Sequence, residues 1–245
     1  MRFDLSTILV LAFLFFVGSL LGWIIEVIYR RFFSGNNPER KWINPGFLIG
    51  PYIPLYGFSL VILFVFSWIP VNYIPGILAR KLVLFALMAL AVTALEYVGG
   101  LIFIKRMNIK LWDYSKEWGN IKGIICPKFS LYWMILSAVY YFLIHPKVIE
   151  SLYWLADHLT FSFFVGFFYG VFLIDFVYSM QVLVKIRRFA RENQIELRLE
   201  EFKEYLIRKK VNMKIRVGFM ISLRPTNKDF AEDIKEFIAN HFEKR

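Results

Sequence analysis

Three carboxylates stand inside long apolar runs of this chain: Glu26, Glu96 and Asp175. A carboxylate in hydrocarbon is costly unless it is paired, protonated or wet, so each is a candidate for ion or substrate contact. They differ in surroundings. Glu26 lies four residues before Arg30, a helical spacing that pairs the two at the membrane interface. Glu96 has no basic residue nearer than Lys105, about 13 Å along a helix. Asp175 lies ten residues before Lys185 and is the deepest of the three. Catalytic sets are harder to assemble. His145, His158 and His241 are scattered, and the lone Cys126 has no second soft ligand near it, so neither a metal nor any other cofactor is expected. No Ser/His/Asp or Cys/His set falls on one membrane side, and no P-loop motif is present.

A motif that occurs twice must position these acids. Gly46-Phe47-Leu48-Ile49-Gly50-Pro51-Tyr52-Ile53-Pro54-Leu55-Tyr56 returns as Gly123-Ile124-Ile125-Cys126-Pro127-Lys128-Phe129-Ser130-Leu131-Tyr132. With Pro51 set over Pro127, each copy reads Pro-x-x-Pro/Ser-Leu-Tyr and follows an apolar segment carrying one glutamate. The apolar stretches 55–69 and 130–144 are 15 residues each, and a straight crossing needs about 20. Motif residues are therefore expected to enter the hydrocarbon. Broken backbone around Pro51, Pro54 and Pro127 is tolerated there only inside protein or against a wet cavity. Paired breaks of this kind point to a binding site; prolines that merely open a helix are the plain alternative.

The composition, 58% hydrophobic and 19% aromatic, fits a polytopic helical membrane protein rather than a soluble domain. The fold expected is all-α, with about five spans. Repeat units cover about 7–70 and 82–145, a fifth span covers 161–184, and together with the N-terminus they form a membrane domain over 1–184. Each repeat holds two spans, so the halves share orientation and any symmetry axis runs along the membrane normal. Gly18-x-x-x-Gly22 and Gly166-x-x-x-Gly170 would let another helix approach closely, within one chain or in a homo-oligomer. The segment 148–159 is too short to cross and is expected at the interface.

Net charge is +11, but 16 of the 30 Lys and Arg follow Val184. That describes a basic tail, 185–245, and basic loops rather than a nucleic-acid groove. Five spans with this bias put the N-terminus outside and the tail in the cytoplasm of a multi-pass cell-membrane protein. In the tail, Ile195, Leu199, Phe202 and Leu206 predict an amphipathic helix. Thr226-Asn227 would cap a last helix with Phe230, Ile234, Phe237 and Ile238 on its apolar face. The segment 210–223 reads equally as strand or interfacial helix. Lys185, Arg187, Arg188 and Arg191 could grip anionic lipid headgroups or simply flank the last span.

Several strings carry a family resemblance: Gly22-Trp23-Ile24-Ile25-Glu26, Asn44-Pro45-Gly46-Phe47-Leu48, Leu95-Glu96-Tyr97, Leu111-Trp112-Asp113-Tyr114-Ser115, Asn120-Ile121-Lys122-Gly123 and Cys126-Pro127-Lys128-Phe129-Ser130. Over about 18–133 the chain resembles the CmpB-type ABC-transporter permeases. The resemblance implies a membrane subunit that partners a separate ATPase. The first functional expectation is thus a transport component with an intramembrane polar site at Glu26, Glu96 and Asp175. The Gly and Pro residues of the motifs would hold its backbone open, and Trp112, Asp113 and Asn120 form its second loop. Asp113 could cap a short helix there. Two rivals remain: a membrane enzyme on a phosphate-bearing lipid with Asp113 or Glu96 as acid/base, and a sensor or assembly factor acting through the tail.

Overall fold

The computed structural model describes residues 5–35, 37–148, 160–192, 195–212 and 230–242. Seven helices account for nearly all regular structure there: α1 Leu5–Phe32, α2 Pro54–Phe66, α3 Ile77–Met107, α4 Pro127–Ala138, α5 Thr160–Glu192, α6 Leu199–Asn212 and α7 Phe230–Phe242. α4 runs on through a π-helical turn, Val139–Ile144. Two two-residue strands, β1 (Ile109–Lys110) and β2 (Leu197–Arg198), pair in parallel with Ile109 opposite Leu197. α3 stops because Asn108 adopts a left-handed conformation, φ +55°, which turns the chain out of the helix into β1.

Among the described residues, four helical segments are long and apolar enough to cross a membrane: Thr7–Phe32, Ile77–Met107, Pro127–Val148 and Ser162–Glu192. The expected second span is different. α2 has only 13 residues, about 20 Å against the roughly 30 Å of a hydrocarbon core. It opens at Pro54 and ends at Phe66, so the motif residues before it and the run toward Pro70 lie outside the helix. The alignment of the two motifs shifts as well. Pro54, not Pro51, occupies the helix-opening place that Pro127 holds in α4, each after an extended residue, Ile53 or Cys126. A proline is accepted at the first helical position because that residue's N–H has no helical partner to lose. In the structural register Gly50 and Gly123 each precede the opening proline by four residues.

The chain divides into two compact units. The first comprises Met1–Gly22, Tyr52–Gly99 and Tyr114–Val171. Its core gathers Leu14, Leu63, Phe64, Met88, Val92, Trp133 and Tyr140, drawn from α1 to α4 and the π turn. The second comprises Trp23–Pro51, Gly100–Asp113 and Phe172–Arg245. There Ile109, Leu197, Leu199, Phe202, Ile234 and Phe237 are fully buried, and Phe202 meets Phe237 edge-on at 5.3 Å. Of the amphipathic faces foreseen in the tail, Leu199, Phe202, Leu206, Ile234, Phe237 and Ile238 are buried. The first of those helices starts at Leu199, however, because residues 197–198 are taken up by the ladder with β1; Ile195 lies ahead of it. The expected interfacial segment (all but its first residue), the Thr226-Asn227 cap and most of 210–223 fall outside the described residues.

The two glycine pairs behave differently. A Cβ at Gly22 would meet Tyr56 Cδ1 at 2.7 Å, and one at Gly18 would meet Leu60 Cβ at 2.9 Å. Across the same contact, a Cβ at Gly57 of α2 would sit 2.7 Å from the Phe15 carbonyl oxygen. The first pair therefore seats α2 against α1. Around Gly166 and Gly170 a Cβ would meet nothing within 4 Å. Gly57→Ala must push the backbone of α1 and is expected to cost about 1–3 kcal/mol, read as a lower unfolding midpoint in detergent. Gly166→Ala, which enters open space, should leave the midpoint unchanged or slightly raised. Equal midpoints for wild type and Gly57→Ala would contradict this packing.

Candidate functional site

In the second unit, the first motif forms a non-helical loop over 44–50, followed by Pro51. Its polar groups are satisfied by side chains rather than by a ladder. The Asp175 carboxylate of α5 accepts the backbone N–H of Ile49 at 3.0 and 3.1 Å and that of Gly50 at 2.7 Å. Ser179, one turn on, donates its hydroxyl to the same carboxylate at 2.8 Å. Asn44, buried, donates its amide to the carbonyls of Leu48 (3.2 Å) and Ile49 (2.9 Å) and accepts the Trp23 indole N–H at 2.6 Å. Gly46 supplies the left-handed bend, φ +72°, a conformation a Cβ would resist.

From the other side comes Lys203 of α6, 3% exposed. Its ammonium donates to the carbonyl of Asn44 at 3.1 Å and to that of Gly46. Burial, and then the charge of nearby Arg30, push its pKa down to about 7, while Glu200 works in the opposite direction. Arg30 is itself held between two acids: its Nε donates to Glu26 at 2.9 Å and its second amino group to Glu200. Glu26 is thus one half of a clamp on Arg30 that the tail completes.

The first unit treats the second motif in a related way. Glu96, 1% exposed, accepts the Tyr114 hydroxyl at 3.1 Å, and the Tyr114 ring stacks on Phe129 at 4.1 Å. The Tyr114 N–H reaches the Gly123 carbonyl at 2.8 Å. Asn120 ties the loop together: its amide donates to the carbonyls of Ser115 and Glu117, and its oxygen accepts the Gly123 N–H at 3.0 Å. Gly123 is left-handed, φ +69°, and Pro127 opens α4 with a buried Cys126 ahead of it.

Asp113 does not cap a helix, since turns follow it. Its carboxylate receives Arg198 Nε at 2.7 Å and Lys110 Nζ at 3.7 Å, beside the β1–β2 ladder. Trp112, next to it, is half-buried. The acids, prolines and glycines singled out in the sequence therefore fall into two sets, one per motif loop. Lys203, Glu200 and Arg198 were missed. A signal existed for one of them: Lys203 is four residues after Leu199 and next to Phe202, a lysine on the apolar stripe of an amphipathic helix. Among the described residues no His, Cys, Asp and Glu side chains gather as a metal site. The chemistry on offer is positional: charged groups fix irregular backbone.

Two outcomes are expected. Asp175→Ala leaves two loop amides without their acceptor and should cost on the order of 1–3 kcal/mol, seen as a lower unfolding midpoint; an unchanged midpoint would show that the clamp is idle. The Lys203 contribution depends on pH. Between its lowered pKa of about 7 and the ordinary value of 10.5, the unfolded chain holds the proton and the folded chain does not. Stability from this group therefore rises with pH across that window and is lowest below it. The neutral amine still has two N–H groups for the two carbonyls. Protection of α6 amides against exchange in wild type, relative to Lys203→Met, should grow from pH 7 toward 10; a difference that is flat or falls over that range would contradict this.

The family described as "Putative ABC-transporter type IV" matches residues 13–180. No curated protein and no solved structure matches the chain. The match covers most of α1, the whole of α2 to α4 and most of α5, with both motif loops and Glu26, Glu96 and Asp175. The chain belongs to this family of ABC-transporter type, as an integral membrane protein built of apolar helices.

Proposed function

We propose that the chain is the permease-like subunit of a transporter driven by an ATPase outside these 245 residues. The observation that carries this reading is the family match, which coincides with the apolar helices. No P-loop occurs in the sequence, so nucleotide hydrolysis of the P-loop kind has to be supplied from elsewhere. The Lys and Arg bias supports a cytoplasmic tail in a cell-membrane protein; four crossings would then leave both ends on one side, and an N-terminus outside requires α2 with its flanking residues to make a fifth. An internal duplication is supported by the shared placement of Gly50 with Pro54 and Gly123 with Pro127, each pair leading into a proline-opened helix.

In this reading Glu96 and Asp175 gate rather than carry substrate. Each holds a motif loop in one arrangement, and movement of the loop requires the carboxylate to let go. Glu26, through Arg30 and Glu200, links the end of α1 to the tail, and Lys203 links the tail to the first motif. That chain of contacts gives the tail a means of sensing or driving the loop. The lipid-enzyme rival loses support, because Asp113 is already engaged by Arg198.

Purification of the tagged chain from its native membranes in mild detergent should recover an ATPase polypeptide with it. Recovery of the chain alone, under conditions where its fold is intact, would overturn the proposal. Asp175→Asn should keep the ATPase bound while lowering transport-coupled turnover about tenfold, the effect of weakening one charge-assisted contact. Undiminished turnover would remove Asp175 from the gating role.

A further inference from the structure

A groove of about 840 Å³ runs along one face of the C-terminal part of α5 in the second unit. Its apolar stretch is formed by Phe176, Val177, Met180 and Val184, with Gln181 the one uncharged polar side chain among them, and Lys185 and Arg188 stand at its far end, with Glu192 one turn beyond. These positions recur at three- and four-residue spacing, so they share one face of the helix. Phe176 to Val184 spans about 12 Å, close to the roughly 15 Å depth of one leaflet's hydrocarbon. The helix has 33 residues, about 50 Å, more than a bilayer core needs, which leaves length for its basic end to reach past the acyl region. Lys185 and Arg188 are exposed and make no ion pair or hydrogen bond among the described residues. The Nε of Arg187, beside Arg188 in sequence, is buried without an acceptor among them.

We infer that this groove is a binding site for one anionic phospholipid, its acyl chain along Phe176, Val177, Met180 and Val184 and its phosphate on Lys185 and Arg188. The depth of the apolar stretch matches a chain entering from one leaflet. The two uncompensated cations lie where that chain's headgroup would be. Glu192 adds one negative charge beyond them and disfavours a headgroup extending further along the helix. The phosphate is held by charge rather than by a shaped pocket, so selectivity is for anionic over zwitterionic lipid and not for one headgroup alcohol. The site stands whether or not an ATPase partner is found.

The test uses the full chain, delipidated in mild detergent, then incubated with phosphatidylglycerol or with phosphatidylcholine of the same acyl chains, and bound lipid is counted by native mass spectrometry. Wild type should retain phosphatidylglycerol in preference. Lys185→Gln with Arg188→Gln, both at exposed positions and expected to fold, should weaken that retention roughly 30-fold. Met180→Trp, which fills the groove and leaves both cations in place, should also lower it. The charge-matched control Lys116→Gln with Lys122→Gln should not. Equal retention of the two lipids, a double variant or a Met180→Trp variant that behaves as wild type, or a control that loses as much, would each overturn the site. Displacement by inorganic phosphate at an ionic strength where sodium chloride displaces none would overturn the lipid assignment in favour of a free anion.

Discussion

Backbone that is neither helix nor sheet cannot be left unpaired in apolar surroundings, and the whole arrangement around the motifs follows from that constraint. A free N–H or C=O there costs several kcal/mol. The loop over 44–50 meets the requirement with three side chains: Asp175 takes two amides, Lys203 takes two carbonyls, and Asn44 takes two more carbonyls from within the loop. A carboxylate serves donors and a lysine amine, charged or neutral, serves acceptors, so the loop needs one of each kind. This explains why ionisable groups persist in a chain that is otherwise so apolar. The same groups viewed only as isolated charges in hydrocarbon would be read as sites for ions or substrate.

That distinction bears on mechanism. A carboxylate already accepting two amides and a hydroxyl, as Asp175 does, has little capacity left for a substrate unless the loop moves. The useful property of such a clamp is that it holds or releases as a whole: losing one hydrogen bond weakens the geometry of the others. Lys203 has the same character from the tail side. Burial and Arg30 lower its pKa toward neutrality, while its hydrogen bonds to the Asn44 and Gly46 carbonyls need only the N–H groups that either form carries. The tail is thereby joined to the first motif through Lys203.

Much of this was legible in the residues themselves. Glu26, Glu96 and Asp175 stand out because each is an acid in an apolar run, and the two motifs stand out because glycine and proline cluster at matching places. The helical tail was legible from its apolar stripe. What escaped has physical reasons. The partner of Asp175 is a pair of backbone amides more than a hundred residues away, and backbone N–H groups carry no mark in the sequence. The β1–β2 ladder spans two residues, too short for any alternation to show. The motif alignment slipped by three because Pro51 and Pro54 are alike in type; only the helix start tells which one has the role of Pro127.

The glycines make the same point from the packing side. Gly18-x-x-x-Gly22 and Gly166-x-x-x-Gly170 are indistinguishable as patterns, yet one admits α2 to van der Waals distance and the other faces open space. The difference lies in the partner. α2 contributes Gly57 at the crossing, so small residues meet from both sides and the backbones can close up. α2 is too short to cross alone, and this close seat against α1 compensates: a helix of 13 residues has little surface to bury, and approach at backbone distance raises the contact made by each residue. A short helix held this firmly also fixes Ile53. The Ile53 N–H donates to the Ser19 carbonyl at 3.0 Å, so the place where helix gives way to irregular backbone is anchored to α1. Glycine packing therefore defines the start of α2 in the first unit, as charge defines the loop over 44–50 in the second.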